Sequence, residues 1–187
     1  MNFFGNVFSA VFILYALRAM HLSAGVLGLV FAAMGAGSLL GAFSAVRLAR
    51  RFGLGRALIG AIVLASPLRI LVPTLSDASL FPVLILVAAW AIMGFTGPVY
   101  NVNQVTLRQA LTPDHLQGRM NATMRFIVYG SIPLGALVGG ALGESLGLRP
   151  TLLIGTLGQS LAVLWLLFSP VRLLHQQPTP PRQAALA

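Results

Sequence analysis

The chain has 187 residues, of which 57% are hydrophobic and only 8% are charged. A soluble globular domain normally carries about 25% charged residues, so this composition excludes an ordinary soluble fold and indicates an integral membrane protein. The net charge of +9 arises from twelve Arg against Asp77, Asp114 and Glu144. Because these Arg cluster in short connectors between apolar runs, the charge favours membrane topology and argues against nucleic acid as a partner.

Six apolar stretches follow one another along the chain, and a helix of about 20 residues crosses a hydrocarbon layer of about 30 Å. We expect membrane spans at about 2–17, 24–46, 56–75, 80–107, 121–143 and 151–171. The stretches are apolar on all sides and do not alternate, so they predict helices and not barrel strands. The predicted fold class is therefore an all-α integral membrane protein with six transmembrane helices. Residues 173–187 are rich in Pro and Gln, which predicts a disordered cytoplasmic tail.

The placement of arginine predicts the orientation. If both termini are cytoplasmic, the cytoplasmic side carries Arg47, Arg50, Arg51, Arg56, Arg108, Arg119, Arg125, Arg172 and Arg182. The opposite side then carries Arg18, Arg69 and Arg149. This bias is the expected one, because loops rich in Lys and Arg stay in the cytoplasm. We expect a multi-pass protein of a bacterial inner membrane with both termini inside.

Two short motifs recur at a fixed distance along the sequence. Gly41-Ala42 and Gly53-Leu54 reappear 94 residues later as Gly135-Ala136 and Gly147-Leu148. The offset is about half the chain, which predicts two three-span repeats at about 1–78 and about 79–172, the second inverted relative to the first. Inverted three-span repeats occur in transporters, with the binding site near the repeat interface. Small residues also recur every fourth position in the second and fifth spans, which predicts either close static packing or faces on which helices slide.

The fourth span carries the most informative polar pattern. Its polar side chains at helical steps of three and four are Thr96, Tyr100, Asn103, Gln104 and Arg108, with Asn101 beside them. Unpaired amides in hydrocarbon cost on the order of several kcal/mol, so this face must turn towards protein or a water-filled cavity. We expect the amides, Thr96 and Tyr100 to line a substrate cavity, with Asn6 and Tyr129 as weaker candidates. The alternative is an interhelical hydrogen-bond network without a ligand.

Signals for an enzyme are missing. His21, His115 and His175 show no metal-ligand spacing with acidic residues, cysteine is absent, and no hydrolase, metalloprotease or phosphate-loop motif occurs. The sequence therefore predicts neither catalysis nor a cofactor or metal. No carboxylate is expected at mid-membrane depth, so any acid that couples transport to protons would belong to another polypeptide segment.

Two segments resemble the major facilitator superfamily. LARRFGLGRAL is similar to the degenerate second copy of the signature loop of that family, between its eighth and ninth spans. TPDHLQGRMNATMRF, followed by IPLGALVGGALGESLGLRPTLLIG, looks like the eleventh and twelfth spans of drug and siderophore exporters, most like the enterobactin and macrolide exporter branch. By position, Leu48, Ala49, Arg51 and Gly53 match the loop signature, whereas Arg50 stands where the better-kept copy has Asp. Gly118-Arg119 match the connector signature.

The resemblance implies a function and a partner. It places a cytoplasmic gate at Arg47, Arg50, Arg51, Gly53, Arg56, Arg108, Gly118 and Arg119. Members carry twelve spans, and this chain corresponds to the last six. We expect a truncated or mis-started coding sequence, ahead of a split gene or a half-size homodimer, so the implied partner is an N-terminal six-helix half.

The expected activity is efflux of small amphipathic compounds across the lipid bilayer by alternating access and proton antiport. The alternative, from a different class, is a non-transporting membrane protein that binds or scaffolds a partner.

Overall fold

The computed structural model describes residues 2–75 and 77–168, with side chains up to residue 161. Its six α-helices are α1 (Asn2–Leu14), α2 (Ala24–Phe52), α3 (Leu54–Leu71), α4 (Leu80–Leu111), α5 (Asp114–Ser145) and α6 (Leu148–Phe168). A π-helical turn, Tyr15–Ala19, continues α1, and a 3-10 turn, Val72–Thr74, continues α3.

The predicted all-α membrane class is confirmed. Five of the helical segments, from α1 to α5, are long and apolar enough to cross a membrane, and α6 has 21 residues. The predicted tail at 173–187 lies outside the described residues.

Helices α2, α4 and α5 run beyond the predicted spans because an apolar run marks the hydrocarbon layer, whereas the helix continues to its cap. The second span was expected to end near residue 46, but α2 continues to Phe52 and stops at Gly53, whose φ is 89°. At its start, the Ser23 hydroxyl accepts a hydrogen bond from the Val26 N–H at 3.3 Å. The connector before α4 is likewise organised, since the N–H and hydroxyl of Ser79 hold the pKa of Asp77 below its usual value.

Glycines set the spacing between α2 and α4. A Cβ atom placed on Gly37 or Gly41 would collide with the backbone carbonyl of Ala91 or Phe95, and one on Gly94 with the carbonyl of Met34. The two backbones therefore lie in direct contact, as expected of small residues at every fourth position of a membrane helix.

The same arrangement joins α5 to α1. A Cβ on Gly135 would lie 2.6 Å from the Phe3 carbonyl oxygen, and one on Gly139 would lie 2.7 Å from that of Val7. Both glycines are buried. The second helix of each predicted repeat thus packs through glycine against the first helix of the other.

Helix packing is symmetric under exchange of α1, α2 and α3 with α4, α5 and α6. The pairs α2–α4 and α1–α5, α3–α4 and α1–α6, and α2–α3 and α5–α6 all pack together.

Gly53 and Gly147, 94 residues apart, both have positive φ (89° and 93°), and a helix starts directly after each, at Leu54 and Leu148. Positive φ favours glycine because it lacks a Cβ atom. These features support the inverted repeat, which stays a prediction.

The hydrophobic core fills one half of the bundle. The ring of Phe12 stacks on Trp90 at 4.2 Å between centroids, and Tyr15 is buried beside them. At the end of this half, Arg149 Nε donates to the Pro73 carbonyl at 2.7 Å, and the Tyr15 hydroxyl lies 2.5 Å from the Leu75 carbonyl oxygen and 3.2 Å from that of Pro73. We call the end held by Arg149, Tyr15 and Pro73 the clasp end.

The connectors between α2 and α3 and between α4 and α5 lie at the other end, which we call the arginine-rich end after Arg50, Arg51, Arg56 and Arg119.

Substitution of Gly41 by Ala should lower the midpoint of thermal unfolding. The added methyl overlaps the Phe95 carbonyl, and overpacking of this kind costs about 1–3 kcal/mol. Gly35, in the same helix, has open space on all sides of an added methyl, so Gly35→Ala should be neutral or slightly stabilising. Thermal unfolding of the two variants in the same detergent measures the difference. Equal midpoints would contradict the close α2–α4 contact.

Candidate functional site

A cavity of about 590 Å³ lies in the half of the bundle that the hydrophobic core leaves open. Its walls are formed mainly by α3, α4 and α5, with residues of α1 and α6 at its margin. Along α4 the lining runs from Thr96 to Gln109, a distance of roughly 20 Å at the helical rise of about 1.5 Å per residue. The cavity is therefore a deep groove directed to the arginine-rich end.

Most of the side chains expected at the substrate cavity meet there. The cavity is lined by Thr96, Tyr100, Asn101, Gln104 and Tyr129 from the predicted set. Tyr100 and Gln104 are half-buried, and Thr96 is buried with its hydroxyl donating to the Met93 carbonyl at 3.0 Å. Steps of four along α4 therefore place one polar row on the cavity wall.

Two residues of the predicted cavity set lie elsewhere. Asn103 is 3% exposed, and its amide donates to the carbonyls of Ala45 at 3.3 Å and Val99 at 2.8 Å. Asn103 thus joins α4 to α2 by a hydrogen bond. This is the interhelical network that was the alternative to cavity lining. The amide of Asn6 donates to the Asn2 carbonyl at 2.8 Å within α1, and Asn6 is not among the cavity-lining residues.

The predicted gate residues gather at the arginine-rich end, but among them Arg108 alone lines the cavity. The side chains of Arg47, Arg50, Arg51, Arg56 and Arg119 are exposed. Gly118 has open space where a Cβ atom would lie, whereas Gly53 is buried and has the positive φ that ends α2. Gly53 is therefore a turn residue by its geometry.

The structure adds polar cavity residues that the sequence pattern did not identify. They are Asn2, Ser66, Arg69, Gln109, Asn121, Arg125, Gln159 and Ser160. Asn121, Arg125 and Tyr129 are spaced four apart on α5, a signal that was available in the sequence. Arg69 was expected on the outer side because it interrupts the third span near its end. Asn2 and Gln159 follow no pattern that separates them from ordinary helix surface.

The cavity wall is positively charged. Arg69, Arg108 and Arg125 line it, from three different helices, and no acidic residue does. One Arg108 Nη donates to the Asn121 amide oxygen at 3.2 Å, while the Nε of Arg108 is buried without a hydrogen-bond partner in the described part of the chain. Within the same described residues, no group of three or more His, Asp or Glu is placed to hold a metal ion.

Comparison with known proteins identifies the family. The model of the Major Facilitator Superfamily matches residues 1–186. The chain belongs to this family. It is also 29% identical over 131 residues to the multidrug efflux pump Tap of Mycolicibacterium fortuitum. The aligned region covers 68% of this chain and 30% of the pump, so the chain spans well under half of that relative. No solved structure matches the chain.

The major facilitator superfamily is a family of membrane transporters, in agreement with the predicted function at that level. The closer likeness to the enterobactin and macrolide exporter branch stays a prediction.

Single cysteines should distinguish the wet cavity wall from the buried amide. The chain has no native cysteine, so each introduced thiol is labelled without background. Gln104→Cys and Tyr129→Cys should react with a charged methanethiosulfonate reagent, because the cavity admits water. Asn103→Cys should stay unlabelled until the protein unfolds, because position 103 is buried against α2.

Phe43→Cys is the matched control for labelling, because Phe43 is 73% exposed on an apolar helix face outside the cavity. A charged reagent should not reach a thiol that faces lipid. Equal labelling at positions 103 and 104 would contradict the placement of these two residues.

Proposed function

We propose that the chain is the C-terminal six-helix half of an efflux transporter for small amphipathic compounds. The observation that carries the proposal is the polar cavity within the membrane-spanning part of a major facilitator fold. Thr96, Tyr100, Asn101, Gln104 and Tyr129 would contact the transported compound, while the apolar wall would hold its hydrophobic part. Similarity to a protein named a multidrug efflux pump supports export as the direction of transport.

Alternating access is the proposed mechanism. The bundle is held together by hydrogen bonds at the clasp end, where an open depression lies beside Tyr15 and Arg149, and it is grooved towards the arginine-rich end. We infer that the arginine-rich end is cytoplasmic, since loops rich in Arg are retained on that side. The exposed arginines there, Arg47, Arg50, Arg51, Arg56 and Arg119, together with Gly53, Arg108 and Gly118, would form the rim at which the cavity opens and closes. Both chain termini would then be cytoplasmic.

An uncovered stretch of α5 supports a missing partner half. Every residue from 122 to 130 is exposed, and Met124, Arg125, Val128 and Tyr129 among them face the cavity. It includes Thr123, Arg125 and Tyr129, and a charged side chain at membrane depth costs about 2.5–3.5 kcal/mol even on the most lenient scales. Protein or water must therefore cover it. We propose an N-terminal six-helix half as that cover, supplied by the same gene product, a separate chain or a second copy.

Proton coupling would also require the partner. Asp77 lies in a connector, Asp114 begins α5, and Glu144 lies in its last turn, so these carboxylates sit at helix ends. A proton-coupled carrier needs a titratable group within the membrane. The acid that drives antiport would accordingly belong to the other half.

Efflux should need both halves. Vesicles that contain this chain alone should not export an amphipathic dye, whereas co-expression with an N-terminal six-helix half should give export that a protonophore abolishes. In that complex, Asn101→Leu with Gln104→Leu should reduce the export rate at least tenfold, because an unpaired polar group of the substrate costs about 1–3 kcal/mol. Leu39→Ala is the control, since Leu39 is 64% exposed on α2, outside the cavity.

Two outcomes would contradict the proposal. Unchanged export by the Asn101 and Gln104 double variant would remove these residues from the substrate path. Absence of export from every complex, with the chain inserted and folded, would favour the alternative of a membrane protein that binds or scaffolds a partner. That alternative draws on the lack of a carboxylate among the cavity-lining residues.

A further inference from the structure

The cavity has an unbalanced charge. Arg69 on α3, Arg108 on α4 and Arg125 on α5 contribute to one wall, and no Asp or Glu lines it. Within the described residues, no carboxylate lies within ion-pair distance of these three guanidinium groups, and neither Arg69 nor Arg125 donates a side-chain hydrogen bond to another described residue. Three cations that share a water-filled space repel one another, and an anion placed among them relieves that repulsion.

Arg108 shows that donors are available at the site. Its Nη is held by the Asn121 amide oxygen, which fixes the guanidinium, while its buried Nε has no partner in the described part of the chain. A buried donor without an acceptor is destabilising, so an acceptor that arrives with a ligand recovers the lost hydrogen-bond energy. The planar guanidinium fork suits sulfonate, carboxylate and phosphate oxygens.

Apolar side chains complete the site. Ile62, Val105, Met124 and Val128 line the same cavity as the arginines. A ligand that fits both parts carries an acidic group and a hydrophobic body. We propose that this cavity selects anionic amphipathic compounds and binds their acidic group among Arg69, Arg108 and Arg125. The inference rests on the proposed transport function and names its substrate class.

Binding can be measured without transport. The full chain is placed in nanodiscs of zwitterionic phosphatidylcholine and titrated with two fluorescent probes that share one aromatic skeleton. Anilinonaphthalene sulfonate is anionic, and phenylnaphthylamine is neutral. The sulfonate should bind saturably and about tenfold more tightly than the neutral probe, the factor expected for charge-assisted hydrogen bonds. Equal affinity for the two probes would overturn the proposal.

Variants test the arginines directly. Arg69→Gln with Arg125→Gln should weaken sulfonate binding about tenfold and leave the neutral probe unaffected, while Arg69→Lys with Arg125→Lys should retain part of the binding. Arg18→Gln removes the same charge outside this cavity and should change neither affinity. Circular dichroism and gel filtration confirm that each variant is folded. Unchanged sulfonate affinity in the double Gln variant would overturn the assignment.

Two further titrations decide whether the anion is a lipid headgroup or a dissolved compound. If phosphatidylglycerol in the nanodisc displaces the sulfonate from the wild type but not from the double Gln variant, the natural ligand is a lipid headgroup. If phosphatidylglycerol has no effect and a soluble amphipathic carboxylate displaces the probe, the ligand is a dissolved compound. Both results support anion selection. Loss of export in the two-half complex with probe binding intact would contradict the proposed transport function and leave anion selection standing.

Discussion

The free-energy cost of an arginine in hydrocarbon governs the arrangement of this protein. A charged side chain at mid-bilayer costs at least about 2.5 kcal/mol, so each Arg must reach water, a polar cavity or a compensating partner. In the described chain, Arg50, Arg51, Arg56 and Arg119 meet this requirement at the helix ends, where they are exposed. Arg69, Arg108 and Arg125 meet it by lining a polar groove. The groove thus follows from a physical constraint on three residues of otherwise apolar helices.

Glycine supplies the complementary constraint. Gly37, Gly41 and Gly94 bring α2 and α4 into backbone contact, and Gly135 and Gly139 do the same for α5 and α1. In a bilayer such contact replaces the hydrophobic effect as the source of helix association, because lipid tails are as apolar as the side chains. These contacts, with the stacked Phe12 and Trp90 rings and the Arg149 clasp, close one part of the bundle and leave the rest open for a ligand.

The sequence predicted the helices and much of the cavity, and its failures have physical causes. Hydropathy identifies apolar length but not helix ends, because caps such as Ser23 and Gly53 lie in water beyond the apolar run. Helical spacing placed Asn103 and Gln104 on one face, yet successive residues lie about 100° apart around the helix, so Asn103 turns to α2, where its amide donates to the Ala45 carbonyl. Arg69 also lines the cavity, which its position near the end of the third span did not predict. Which polar residues share a cavity depends on helices distant in sequence, and one-helix periodicity does not contain that information.

The uncovered stretch of α5 and the charged cavity require different surroundings. The first requires protein or water beside its polar side chains, and the second requires an anion. The exposed polar side chains of residues 122–130 need a polypeptide or water beside them, whereas the apolar ones can face lipid. An anion would balance the charge of the cavity arginines. An acidic side chain of the covering polypeptide could supply one to Arg125, which lies both in the cavity and in the uncovered stretch of α5. Arg69 and Arg108 line the same cavity from α3 and α4, outside the uncovered stretch, so one acidic side chain placed against Arg125 leaves their charge uncompensated. In our proposal, a partner half completes the fold, and the charge of Arg69 and Arg108 is left for the compound that enters the groove.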